Sequence, residues 1–139
     1  MTCETKQKNE ISQDERDKIK RDIEVIVNRV VESYNSGKLL SEVFLDSKDF
    51  RYSIPGKILT LEQFKEMYKN FYGGVKTQFY RKLNGELSYA DSDFAIYIFI
   101  TAFDVEKSDG EKLSNPGYLT TFIFKKINGT WKIVGGHES

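Results

Sequence analysis

The chain is 139 residues long, the size of a single domain, and its 21 basic and 21 acidic side chains cancel to a formal net charge of zero. That balance speaks against a nucleic-acid binder, whose affinity rests on a basic face, and against a polybasic membrane-surface protein. The single cysteine, Cys3, excludes an internal disulfide and a cysteine-rich metal site, and no metal or cofactor is expected.

In chain order, residues 1–11 are polar and are expected to form a flexible tail, with residues 12–139 as one domain. No apolar run approaches the roughly 20 residues of a transmembrane segment. The start carries no apolar stretch of a secretory signal, so a cytoplasmic location is expected. Cys3 followed by a polar tether gives the alternative of a lipid anchor, as in a processed bacterial lipoprotein, if the true start lies upstream. Ser12-Gln-Asp-Glu15 reads as a capping box. Behind it Ile19, Ile23, Ile26, Val27, Val30, Val31 and Tyr34 recur at spacings of three and four, the apolar face of a helix of about 22 residues. Asn35-Ser-Gly37 stops that helix.

Leu39, Leu40, Val43, Phe44 and Leu45 predict a second helix of about two turns. Phe50-Arg-Tyr-Ser-Ile54 alternates and is bounded by Pro55-Gly56, which predicts a short strand. Thr60-Leu-Glu-Gln63 is a second capping box, opening a helix through Phe64, Met67, Tyr68, Phe71 and Tyr72 that Gly73-Gly74 ends. Residues 79–89 predict a weakly patterned strand. Residues 94–103 are apolar on both faces, the mark of a central strand. Residues 106–116 are polar and read as a loop. Residues 118–127 and 130–137 form a hairpin about Asn128-Gly129, with Lys125, Lys126 and Lys132 as solvated lysines at its end. Helices first and strands after make an α+β domain.

The two-residue turn sets a register for this hairpin. It places Ile127 opposite Thr130, Phe124 opposite Ile133, Phe122 opposite Gly135 and Thr120 opposite His137. The chain's only histidine is thereby expected at the far end of an aromatic face, beside a threonine hydroxyl and able to exchange a proton. Gly135 and Gly136 read as residues that let the sheet bend.

The helix break at Tyr34-Asn-Ser-Gly37 and the ending Phe122-Ile-Phe-Lys-Lys-Ile-Asn-Gly-Thr-Trp-Lys-Ile-Val-Gly-Gly-His-Glu-Ser139, in this element order, resemble the nuclear transport factor 2-like superfamily. Its polyketide-cyclase-like (SnoaL-like) and ketosteroid-isomerase-like branches are the nearest in kind, over residues 14–139. The resemblance implies a cone, with N-terminal helices packed on a strongly curved mixed or antiparallel sheet whose concave face lines a mostly apolar pocket. Mapped onto this sequence, the implied lining is Tyr34, Tyr52, Phe64, Tyr68, Phe71, Phe122, Phe124 and His137, with Thr120 beside the histidine. The alternative is that these rings fill the cone as core.

The isomerase branch needs a helix tyrosine, a base aspartate and a protonated aspartate on a late strand. Val30, Ile54 and Thr120 occupy those positions, so that chemistry is lost. A dehydratase or cyclase of this fold would use His137 as acid/base with a carboxylate from Asp104 or Asp46. The plainer reading leaves Asp46 at a helix end and Asp104 in water. No nucleophile elbow or zinc ligand set is present.

The leading expectation is a pocket domain for a small apolar or aromatic ligand. The alternatives are an enzyme using His137 and a self-association module. Ile96, Ile98 and Ile100 on one face of the central strand, with Tyr97, Phe99 and Phe103 on the other, need cover on both sides. A homodimer through the outer sheet face is therefore expected.

Overall fold

The structure is a computed structural model that describes residues 10–139; the expectations for residues 1–9, Cys3 among them, lie outside the described residues. Both capping boxes form. In helix α1 (Gln13–Asn35), Ser12 Oγ accepts from the Glu15 amide at 3.1 Å, and Glu15 accepts from the Ser12 amide at 3.3 Å. Thr60 and Gln63 make the same reciprocal pair, at 3.2 and 3.0 Å, at the head of α2 (Leu61–Gly73). Each box satisfies two donors that a helix start would otherwise leave orphaned. Helix α1 buries Ile19, Ile23, Val27, Val30, Val31 and Tyr34, whereas α2 buries Leu61, Phe64 and Tyr68.

The expected two-turn helix over Leu39–Leu45 shrinks to a single 3-10 turn, Ser41–Val43. Phe44 is extended and makes a parallel bridge with Ile133, and the Leu45 amide donates to the Ile133 carbonyl at 2.8 Å. Sheet pairing thus takes the backbone that a second turn would need.

The strands are β1 (Arg51–Ile54), β2 (Lys57–Leu59), β3 (Val75–Ala90), β4 (Phe94–Lys107), β5 (Lys112–Ile127) and β6 (Thr130–Glu138), in sheet order β2-β1-β6-β5-β4-β3. Strands β1 and β6 run parallel and every other neighbouring pair runs antiparallel, so the sheet is mixed and open. Strand β2 carries no alternation of its own. The stretch read as a loop is mostly strand: Val105 pairs with Leu113 and Glu106 with Lys112 around a short turn. Its β5 side chains reach little of the core, so their polarity carries no inside–outside pattern.

The concave face carries the core. Tyr52, Phe64, Tyr97, Phe99, Phe122, Phe124 and Ile133 are each exposed by 2% or less. Ring centroids lie 4.4 Å apart for Tyr52–Phe64 and 5.2 Å apart for Phe99–Phe122. Burial of each such ring contributes about 1.5–3 kcal/mol. On the convex face Ile96, Ile98 and Ile100 are half-buried, beside Leu83 at 52% and Leu119 and Ile123 at 38% exposure.

Candidate functional site

The last hairpin begins as its sequence dictates. Asn128 and Gly129 both take positive φ, 50° and 79°, and Ile127 pairs with Thr130 and Phe124 with Ile133. The register then shifts: Ile123 pairs with Gly135, which leaves Val134 without a counterpart. This is a β-bulge. Beyond it Phe122 faces Gly136, Thr121 faces His137 and Thr120 faces Glu138.

Because side chains alternate along a strand, one extra residue inverts every later position. Glu138 therefore joins Thr120 and Phe122 on the concave face, and His137 turns outward and is exposed. This corrects the expected pairings of Phe122 with Gly135 and of Thr120 with His137, and it moves the histidine out of the cone.

The two glycines fit the shift. A Cβ on Gly136 would lie 2.5 Å from the Thr121 carbonyl oxygen and 2.9 Å from Tyr52 Cε2. One on Gly135 would lie 2.8 Å from the Arg51 carbonyl oxygen. Close approach of β1 and β5, more than bending, requires glycine here.

The mouth of the cone holds a cavity of about 340 Å³. Five rings wall it: Tyr68 and Phe71 from α2, Tyr80 from β3, Phe103 from β4 and Tyr118 from β5, with Ile54, Pro55 and Met67 completing the apolar surface. Asn115, Glu138 and Ser139 are its other lining residues. Tyr80 is held in place by Asn35, whose side chain accepts from the Tyr80 amide at 2.6 Å and donates to its carbonyl at 2.9 Å. The end of α1 is in this way clamped to β3 beside the cavity.

Among the described residues Glu138 is the only one on the wall with a carboxyl side chain, and no lysine, arginine or histidine shares it. Burial drives its carboxyl up to about 7, an effect that hydrogen bonding with Tyr52 offsets only in part. Burial also raises Tyr34, Tyr52, Tyr68, Tyr80 and Tyr118, and the Glu138 charge adds to it. Tyr80 reaches about 12, so these phenols stay neutral near pH 7. Glu24, on the α1 side of the cone, is the opposite case. Burial pushes its carboxyl up, but the Tyr97 hydroxyl at 2.7 Å and the charges of Lys20 and Lys82 outweigh it and hold Glu24 below its usual value.

Of the expected lining, the structure brings Tyr68 and Phe71 to the cavity. Tyr34, Tyr52, Phe64, Thr120, Phe122 and Phe124 are packed beneath it, each exposed by 3% or less, and fill the narrow end of the cone. Tyr34 stacks on Tyr68 with ring centroids 5.3 Å apart. Asp104 is exposed, accepts from Ser114 Oγ at 2.7 Å and lies 3.6 Å from Arg81, away from the cavity wall. Asp46 is exposed as well. Glu138, Tyr80, Phe103, Asn115 and Tyr118 escaped the sequence reading. The adjacent glycines were the one available signal, since glycine inside a strand marks bulges as well as bends.

Among the described residues no three His, Cys, Asp or Glu side chains gather as a metal site, and no helix is long and apolar enough to cross a membrane. No protein-family model matches the chain, and no curated protein sequence matches it. Solved structures do. A nuclear transport factor 2-like superfamily protein from Salmonella enterica serovar Typhimurium is 19% identical with a TM-score of 0.77, over 89% of this chain and 92% of that one. A hexachlorocyclohexane dehydrochlorinase, LinA-type3 from Novosphingobium barchaimii, is 12% identical with a TM-score of 0.76, over 92% and 90%. A nuclear transport factor 2-like family protein from Streptomyces avermitilis is 15% identical with a TM-score of 0.72, over 88% and 96%. Likeness at such identities speaks to the fold.

Proposed function

We propose that this chain, which has the nuclear transport factor 2-like fold, is a pocket domain that binds a small apolar or aromatic ligand at the mouth of its cone. The carrying observation is the cavity of about 340 Å³ walled by five rings, with one acidic side chain on its surface. Volume and lining both match small-molecule sites, which run from about 300 to 1,000 Å³ and are mainly apolar with a few orienting groups. Pairing with a second copy belongs to the same reading, because the half-exposed isoleucines of β4 and their β5 neighbours lie on the face that the helices leave uncovered.

An enzyme is the second reading, and one observation favours it: a carboxyl with a pKa of about 7 both gives and takes a proton at neutral pH. Solved structures of this fold include a dehydrochlorinase. In that reading Glu138 takes the role first given to His137. Binding is preferred because Glu138 has no second acid or base beside it on the cavity wall.

Native mass spectrometry on protein purified from its own host, followed by gentle denaturation, tests the proposal. A dimer releasing a stoichiometric aromatic or apolar compound is the expected result. His137→Ala is expected to leave ligand-dependent thermal stabilisation unchanged, because His137 faces away from the cavity. Loss of that stabilisation would move the site out of the cone.

A further inference from the structure

We propose that the cavity selects a cation: a small aromatic amine or ammonium compound whose positive charge sits against Glu138 and whose ring packs between Tyr68, Phe71, Tyr80, Phe103 and Tyr118. This inference rests on the reading of the cavity as a ligand site and specifies its chemistry. Glu138 takes part in none of the ion pairs between described residues. The titratable groups that feel its charge are all phenols: Tyr52 from β1, Tyr34 from α1, Tyr68 from α2, Tyr80 from β3 and Tyr118 from β5. Among the described residues no element around it supplies a positive charge, and the inferred partner of this carboxylate is the charge of the ligand.

The wall suits that charge. Ring faces attract a cation placed within about 6 Å of their centroids, and more so where water is excluded. Phe103 sits between two such rings, with centroids 5.3 Å from Tyr80 and 5.7 Å from Tyr118. An anionic ligand would meet the carboxylate with no counter-charge on the wall. A neutral ligand would gain nothing from the charge of the carboxylate.

The proton gives the inference a signature. A cation binds the ionised carboxylate and must displace the proton that Glu138 holds below a pH of about 7. Affinity for a cation therefore drops by up to about tenfold per pH unit below that value and levels off above it, while a neutral ligand lacks the dependence.

Tryptamine, tryptophol and indole-3-acetate carry a cation, a hydroxyl and an anion on the same ring, and titration calorimetry on the whole protein compares them. At pH 8 tryptamine is expected to bind at least about tenfold tighter than tryptophol, with indole-3-acetate weakest. Lowering the pH from 8 to 6 should weaken tryptamine by about tenfold and leave tryptophol unchanged. Glu138→Gln should reduce the preference to what the rings alone supply and erase the pH dependence while retaining tryptophol binding, which certifies that the variant is folded. Tryptophol binding as tightly as tryptamine, or a preference for the amine that persists undiminished in Glu138→Gln, overturns the inference and leaves the pocket standing. Failure of all three compounds overturns the inference as well. If the protein also carries no passenger in native mass spectrometry, the pocket reading falls with it.

Discussion

Glu138 sits among neutral phenols, and its charge is the least favourably placed in the cone. Its folded value of about 7 lies above the ordinary 4.5. Below pH 4.5 both folded and unfolded chains keep the proton, and the residue contributes no pH dependence. Between 4.5 and about 7 the folded chain holds a proton that the unfolded chain has released, so stability falls as pH rises through that window and is level above it. Glu138→Gln should abolish this slope. Its stability advantage over the wild type, read from urea unfolding, should grow from near zero at acid pH to about 1–3 kcal/mol at pH 8, after allowance for solvent screening of a half-buried group. The same scale shows why the sequence pointed to His137 and not to its neighbour on the cavity wall. His137 stands out by identity, as the only histidine, whereas the direction in which a side chain points belongs to the backbone.

Strand β6 is where that direction is decided. The Asn128-Gly129 turn and the capping boxes at Ser12 and Thr60 were legible because each is a local bond between residues a few positions apart. The pairing was also legible as far as Phe124 and Ile133, where large apolar residues mark the buried phase. Past Ile133 the chain reads Val134-Gly135-Gly136, and two residues without side chains carry no record of which face is inward. The bulge falls inside that silent stretch. The glycines can be tested as part of the element. Gly136→Ala would drive a methyl group into the Tyr52 ring and the Thr121 carbonyl, and should cost about 1–3 kcal/mol in urea unfolding. A cost below a few tenths of a kcal/mol would mean that β1 and β5 are free to give way.

The cone as a whole divides into a filled narrow end and an open mouth. Composition alone could not separate them, because the same aromatic residues serve both: Phe122 and Phe124 are core, and Phe71 and Phe103 are wall. Outside, the isoleucines of β4 alternate out of the sheet beside Leu119 and Ile123. If this face is where two copies meet, Ile98→Asp should turn a dimer into a folded monomer, as measured by light scattering coupled to gel filtration. A wild-type monomer in the same measurement would leave the face without a partner copy.

The bulge at Val134 also sets which of two neighbouring side chains reaches the cavity. With Val134 bulged out, the inward post beside Thr120 belongs to an acid; with Val134 paired to Ile123 instead, the turn and the length unchanged, it would pass to the imidazole of His137. Two opposite chemistries stand side by side on one strand, and a single bulge chooses between them. The pocket's character therefore depends on where β6 places its one unpaired residue as much as on the identity of the residues that line it.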